Sequence, residues 1–196
     1  MVSWRDRLET LDEQHQEMVL GSSLSQRFAA WPLYACHPSI VGAFYGLLIT
    51  CALLLPIGWS HNWSVLPWLT ETATRGVTIM FSLALLGHAS LIMNKFIQRP
   101  PAPLDKFRIV LFALPFVGFG LLMATWSGMT TDIPAMLSWG VMLFPGPAYV
   151  HLSWAPRYRM LSMLEDGIDP FGPAKVEVGK RQKEQELEAA VEALVE

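Results

Sequence analysis

Apolar residues gather along the chain into four stretches, about 39–59, 76–94, 107–126 and 133–154, each bounded by short polar segments. A hydrocarbon core of about 30 Å takes roughly 20 apolar residues at about 1.5 Å rise each, the length these stretches offer. The pattern predicts an all-α integral membrane protein: a four-transmembrane-helix bundle, residues 38–154, with amphipathic cytoplasmic helices before and after it. Spans three and four are separated only by SGMTTD, too short for anything but an antiparallel hairpin.

The interior of the fourth stretch sets it apart. Pro145, Gly146 and Pro147 interrupt the backbone ladder, and Tyr149 and His151 follow. A proline removes a donor and frees a carbonyl, and in hydrocarbon such a group persists only where neighbouring helices, side chains or water satisfy it. Residues 133–154 are therefore expected inside the bundle. The first span opens at Pro38 and carries Gly42 and Gly46, a GxxxG spacing that permits close backbone approach and is read as packing within the chain in preference to dimerisation. Trp59, Trp63 and Trp68 cluster in a loop expected at one membrane interface.

The flanks are polar. In residues 1–37, Trp4, Leu8, Leu11, His15 and Met18 recur every three to four positions, while Arg5, Glu9, Asp12, Glu13 and Glu17 take the other faces, predicting one amphipathic helix broken by GSSLS. No apolar core of a removable signal peptide occurs in this region. Residues 155–196 run through a Gly- and Pro-rich linker into a predicted partner helix with Leu187, Ala190, Val191 and Leu194 on one face. With four spans, Arg27, Lys95, Arg99, Lys106, Arg108, Arg157 and Arg159 fall on one side and Arg75 on the other, which predicts both termini in the cytoplasm.

Composition supports the membrane class, since 52% hydrophobic and only 16% charged residues lie outside the range of soluble domains. A net charge of -3 without a basic patch argues against a nucleic-acid partner. Cys36 and Cys51 form no CxxC and read as packing residues. No metal box, phosphate loop or nucleophile elbow is present.

The four apolar stretches hold no Asp, Glu, Lys or Arg in their cores, which argues against an ion-coupled transporter. Their ionisable candidates are His88 and His151. With the expected orientation their depths differ by roughly 4.5 Å, within reach of axial ligation of a b-type haem or of a quinone carbonyl. The plainer alternative has His88 bonded to Ser90 or Asn94 and His151 resting in the interface beside Tyr149 and Trp154. These features point first to a non-catalytic accessory or assembly subunit of a larger inner-membrane complex, such as a secretion or conjugative-transfer apparatus. Its partners would be the bilayer and other membrane proteins, a second copy of the chain among them. The alternatives are a haem- or quinone-binding redox subunit, an oligomeric channel or small exporter, and a membrane immunity or exclusion protein.

Overall fold

The computed structural model describes residues 4–21, 23–129 and 135–172, and every regular element among them is helical. Three helices are long and apolar enough to cross a membrane. The partner-helix residues Leu187, Ala190, Val191 and Leu194 lie outside the described residues.

The N-terminal region is three short helices and not one: α1 (Trp4–Glu9), α2 (Glu13–Leu20) and α3 (Ser23–Ala29). The first break falls where the Thr10 hydroxyl bonds back to the Arg7 carbonyl, a local alternative to helix that hydroxyl residues favour. Gly21 makes the second, closing α2 at a φ of 64°. Trp4 and Leu8 are buried as the periodicity implies, but Met18, beyond the first break, is 38% exposed.

Helix α4 (Pro38–Ser60) and helix α5 (Val65–Ile97) form an antiparallel hairpin. The second apolar stretch is thus extended at both ends, and helix α5 begins inside the tryptophan-rich segment expected to be loop. What remains of that loop is a tight turn in which Asn62 and Trp63 have φ of 50° and 60°. A bulky residue in the left-handed region costs of order 1–3 kcal/mol and persists only where its surroundings hold it. Here the Trp63 N–H donates to the Gly58 carbonyl (2.8 Å), its ring meets that of Trp68 edge-on, and the Trp68 indole donates to the Leu54 carbonyl (2.9 Å).

Glycine sets the hairpin's register. A Cβ at Gly42 would overlap the Leu83 carbonyl, one at Gly46 would lie 2.8 Å from the Met80 Cα, and one at Gly87 would overlap the Pro38 carbonyl. Gly76 takes the Thr50 methyl in the same way, at 2.6 Å. Because Gly76 sits opposite Thr50, Glu71 and Arg75 lie level with the last turns of α4. The stretch 76–94 holds no Asp, Glu, Lys or Arg, but the extension of α5 before it brings Glu71 and Arg75 into the helix. The two side chains pair with one another, and Glu71 also bonds His61, which is the arrangement that makes ionisable groups tolerable at such positions. At the other end Gly87 sits opposite Pro38, so α5 runs ten residues past the start of α4, about 15 Å at the helical rise.

Helix α6 (Arg108–Trp126) and helix α7 (Ala135–Leu143) make the second hairpin, closed where Gly118 admits the Met142 backbone. The fourth apolar stretch is not one uninterrupted helix. After α7 come α8 (Pro145–Tyr149), a π-helical turn (Val150–Trp154) and α9 (Ala155–Glu165). The joints at Phe144, Val150 and Ala155 keep helical dihedrals, so the path continues while its hydrogen-bond ladder changes step.

Two apolar cores result. Ile49, Leu53, Ile57, Leu122 and Met142 fill the space between the hairpins. The larger core lies where α4 begins: Trp4, Leu8, Val19, Cys36, Trp154 and Leu161 bring α1, α2, α9 and the 3-10 turn Leu33–Cys36 together.

Added methyl groups should separate the packed glycines from the open ones. Gly42→Ala should lower the thermal midpoint in detergent, corresponding to about 1–3 kcal/mol of overpacking, because the obstacle is backbone. Gly120→Ala, with nothing within 4 Å of its Cβ, should hold or raise the midpoint by the helix propensity of alanine. Equal effects would show that the seam is not tight.

Candidate functional site

The interrupted stretch combines prolines with a π-helical turn, and polar side chains from several elements meet it. Pro145 and Pro147 remove two N–H groups in succession, and Pro156 removes a third. In an α-helix the Leu152 carbonyl would receive the N–H of residue 156, so Pro156 leaves it free. The π turn from Val150 to Trp154 is how the chain passes this gap: the Ala155 N–H reaches back to the Val150 carbonyl, five residues away.

Several carbonyls of this stretch accept hydrogen bonds from side chains or from chain outside it. The Leu152 carbonyl accepts from the Ala102 N–H (2.9 Å), and the His151 carbonyl accepts from Arg99 Nη2 (3.0 Å) and more weakly from Asn94 Nδ2 (3.5 Å). The Ser153 carbonyl accepts from Arg157 Nη1 (3.2 Å), and the Tyr45 hydroxyl donates to the Met142 carbonyl ahead of Pro145 (2.7 Å). Ala102 is notable in this list, since it is the one residue of Pro100-Pro101-Ala102-Pro103 that has an N–H to give.

Arginines do the same at helix ends. Arg7 donates to the Leu164 and Glu165 carbonyls at the end of α9, and Arg5 to the Ala29 and Ala30 carbonyls at the end of α3. Arg159 reaches the Asn94 and Gln98 carbonyls at the end of α5. Cations at helix C-termini complement the negative end of the dipole as well as the unpaired carbonyls. Arg157, 4% exposed, lies against Gly21, where a side chain would collide with its guanidinium.

The histidines fall differently from the expected pairing. His88, one residue past the level of Pro38, stacks on His37 with ring centroids 5.8 Å apart, and His37 also meets Tyr158 edge-on at 5.2 Å. His37 caps α4, its Nδ1 accepting the Ser39 N–H (3.2 Å), and desolvation with the nearby His88 and Lys95 holds its pKa below the ordinary histidine value. The His151 carbonyl meets Asn94, six residues beyond His88 on α5, or about 9 Å along the axis, twice the expected offset. Ser90 and Asn94 do not bond His88: the Ser90 hydroxyl donates to the Leu86 carbonyl and the Asn94 amide to the Ser90 carbonyl. Tyr149 bonds the Ser25 hydroxyl (3.0 Å), and the Trp154 indole donates to the Cys36 carbonyl (2.8 Å), tying α3 and the 3-10 turn to the interrupted segment.

Beside the interruption lies an apolar cavity of about 200 Å³ between α4 and α6, with Phe28 of α3 at one end. Phe44, Tyr45, Leu111 and Tyr149 form its walls, and Gly146 forms part of its floor, where a Cβ would strike the Tyr45 ring. Of the singled-out residues, Gly146 therefore belongs with this cavity, with Pro145 and Pro147 on either side of it in α8, Gly42 and Gly46 with the α4–α5 seam, and His88 with His37. The donors Asn94, Arg99 and Ala102 were missed at the level of sequence; the third proline of the interrupted segment, Pro156, is the signal that could have called for them.

Ala102→Pro should lower the thermal midpoint by leaving the Leu152 carbonyl unpaired, a cost of about 1–3 kcal/mol, whereas Pro100→Ala should change it little. Cys36 gives a second check in a Cys51→Ser background. The thiol is buried, burial pushes its pKa up, and less thiolate means slower alkylation, so maleimide at neutral pH should label it only after denaturation. No family model, no curated protein and no solved structure matches this chain.

Proposed function

We propose that the chain is a four-span protein of a bacterial-type inner (plasma) membrane, with both termini cytoplasmic, that serves without catalysis as an accessory or assembly subunit of a larger membrane complex. The observation that carries this reading is α6. Ile109 and Phe116 are 83% and 76% exposed, and Val110, Phe112 and Val117 are about half exposed, so one apolar face of a span-length helix remains uncovered by its own chain. Helix association in a bilayer is driven by packing of such faces, and a helix held to its bundle mainly through α7 has that surface available for a neighbour. The arginine-capped layer of α1–α3 and α9 supports the reading from the other side, because it gives a firm base from which residues 173–196 would reach a partner. The fourth span would be the interrupted path through α7, α8 and the π turn, its carbonyls bonded as hydrocarbon requires.

Gentle detergent extraction of the tagged full chain from its host tests the proposal. A stoichiometric set of membrane proteins should co-purify, and Phe116→Ala with Val117→Ala, or removal of residues 175–196, should reduce its recovery several-fold without reducing the chain's own yield. The preparation should show no Soret band, and cytoplasm-only reporters should be active at both termini. A haem band lost on replacing His88 or His151 would replace this reading with the redox one. Flux through liposomes holding the protein alone, altered by Gly146→Ala, would replace it with a channel.

A further inference from the structure

The cavity beside the proline interruption has no part in the assembly role, yet its chemistry is specific. Its lining is almost wholly carbon. The two tyrosine hydroxyls that reach it are engaged by protein atoms, Tyr45 with the Met142 carbonyl and Tyr149 with Ser25. A ligand held by hydrogen bonds, such as a quinone headgroup or a nucleotide, therefore finds no donor set there. Its mouth lies between α4 and α6, where Phe44 and Leu48 are about half exposed on the flank of a span-length helix. Two spans that share a bilayer leave hydrocarbon as the medium at such an opening. In the cavity floor the missing side chain of Gly146 lets the Tyr45 ring lie against α8.

We propose that this cavity is a binding site for one acyl chain of a bilayer phospholipid, which enters between α4 and α6 and packs against Phe28, Leu111 and Tyr149. The inference rests on the membrane placement proposed above and not on the assembly role. The chain fills a gap that the two hairpins, each closed on itself by glycine contacts, do not close between them. It joins α3 to α4 and α6 through carbon contacts, as the Ser25–Tyr149 bond joins α3 to the interrupted segment through polar ones.

The test uses the full-length protein in liposomes of phosphatidylethanolamine and phosphatidylglycerol containing a phospholipid with a diazirine on its acyl chain. After illumination, adducts on Leu111, Phe44 and Tyr149 should exceed those on the exposed residues Ile109 and Phe116 several-fold. They should also saturate as the labelled fraction rises, while the surface adducts grow in proportion. Leu111→Trp, which fills the cavity, should remove the excess, and a thermal midpoint at or above that of the wild type shows that the variant is folded. Should that variant misfold, the saturation behaviour of the wild type decides alone. Cavity adducts no more frequent than surface ones and rising in proportion would overturn the proposal while leaving the membrane placement intact. Absence of adducts at every position would overturn the placement itself. Enrichment of a photoactivatable quinone in the cavity, with displacement of the acyl label, would reassign the site.

Discussion

The structure depends on the near-contact of two backbones along the α4–α5 seam. Within a bilayer, burial of apolar surface gives helices little reason to associate, since lipid is as apolar as leucine, and close packing must supply the attraction. Dispersion falls off steeply with separation, so helices that meet across glycine gain contacts that helices held apart by side chains forgo. Gly42, Gly46, Gly76 and Gly87 provide this on both partners, and the register they impose decides what else can meet. With Pro38 opposite Gly87, the last ten residues of α5 stand clear of α4 and offer Asn94 and Gln98 to Arg159 of α9. The layer of α1–α3 then closes over α9.

A second constraint acts on the carbonyls. Pro156 would leave the Leu152 carbonyl unpaired, and the fold supplies the Ala102 N–H from elsewhere in the sequence, with Arg99 meeting the neighbouring His151 carbonyl. This explains the division of labour among the basic residues. Arg7, Arg99 and Arg159 address backbone oxygens, a use for which the guanidinium, with several donors in a rigid fork, is suited and lysine less so. Two of the positively charged residues grouped on one side in the sequence, Arg99 and Arg159, thus also serve as donors to backbone carbonyls.

Much of this was legible beforehand. The positions of α4 and α6, the use of Gly42 and Gly46 for close approach, and the need of the Pro145–Pro147 interruption for neighbours all follow from local chemistry. The extension of α5 back to Val65 did not, because Trp68, Thr70, Glu71 and Arg75 read as an interfacial loop; pairing of Glu71 with Arg75 and His61 removes the penalty that made helix there seem costly. Periodicity carried the N-terminal region as one helix, since Trp4 and Leu8 keep the phase, but a pattern of apolar positions does not register the backbone break at Thr10. The relative depth of His88 and His151 departs from the expected one for a related reason. Depth was counted from the ends of apolar stretches, and both helices run on beyond those ends, so His88 comes level with His37 instead.

The overhang of α5 beyond Pro38 joins the two halves of the molecule in a way that distance alone does not describe. A helix transmits angle as well as position, turning by about 100° at each residue. The ten residues from His88 to Ile97 therefore work as a shaft, clocking the arginine-capped layer against the glycine seam. One residue inserted in that shaft would lengthen it little, yet would swing Asn94 and Gln98 out of line with Arg159. The spacing between seam and cap is thus constrained by phase before it is constrained by length.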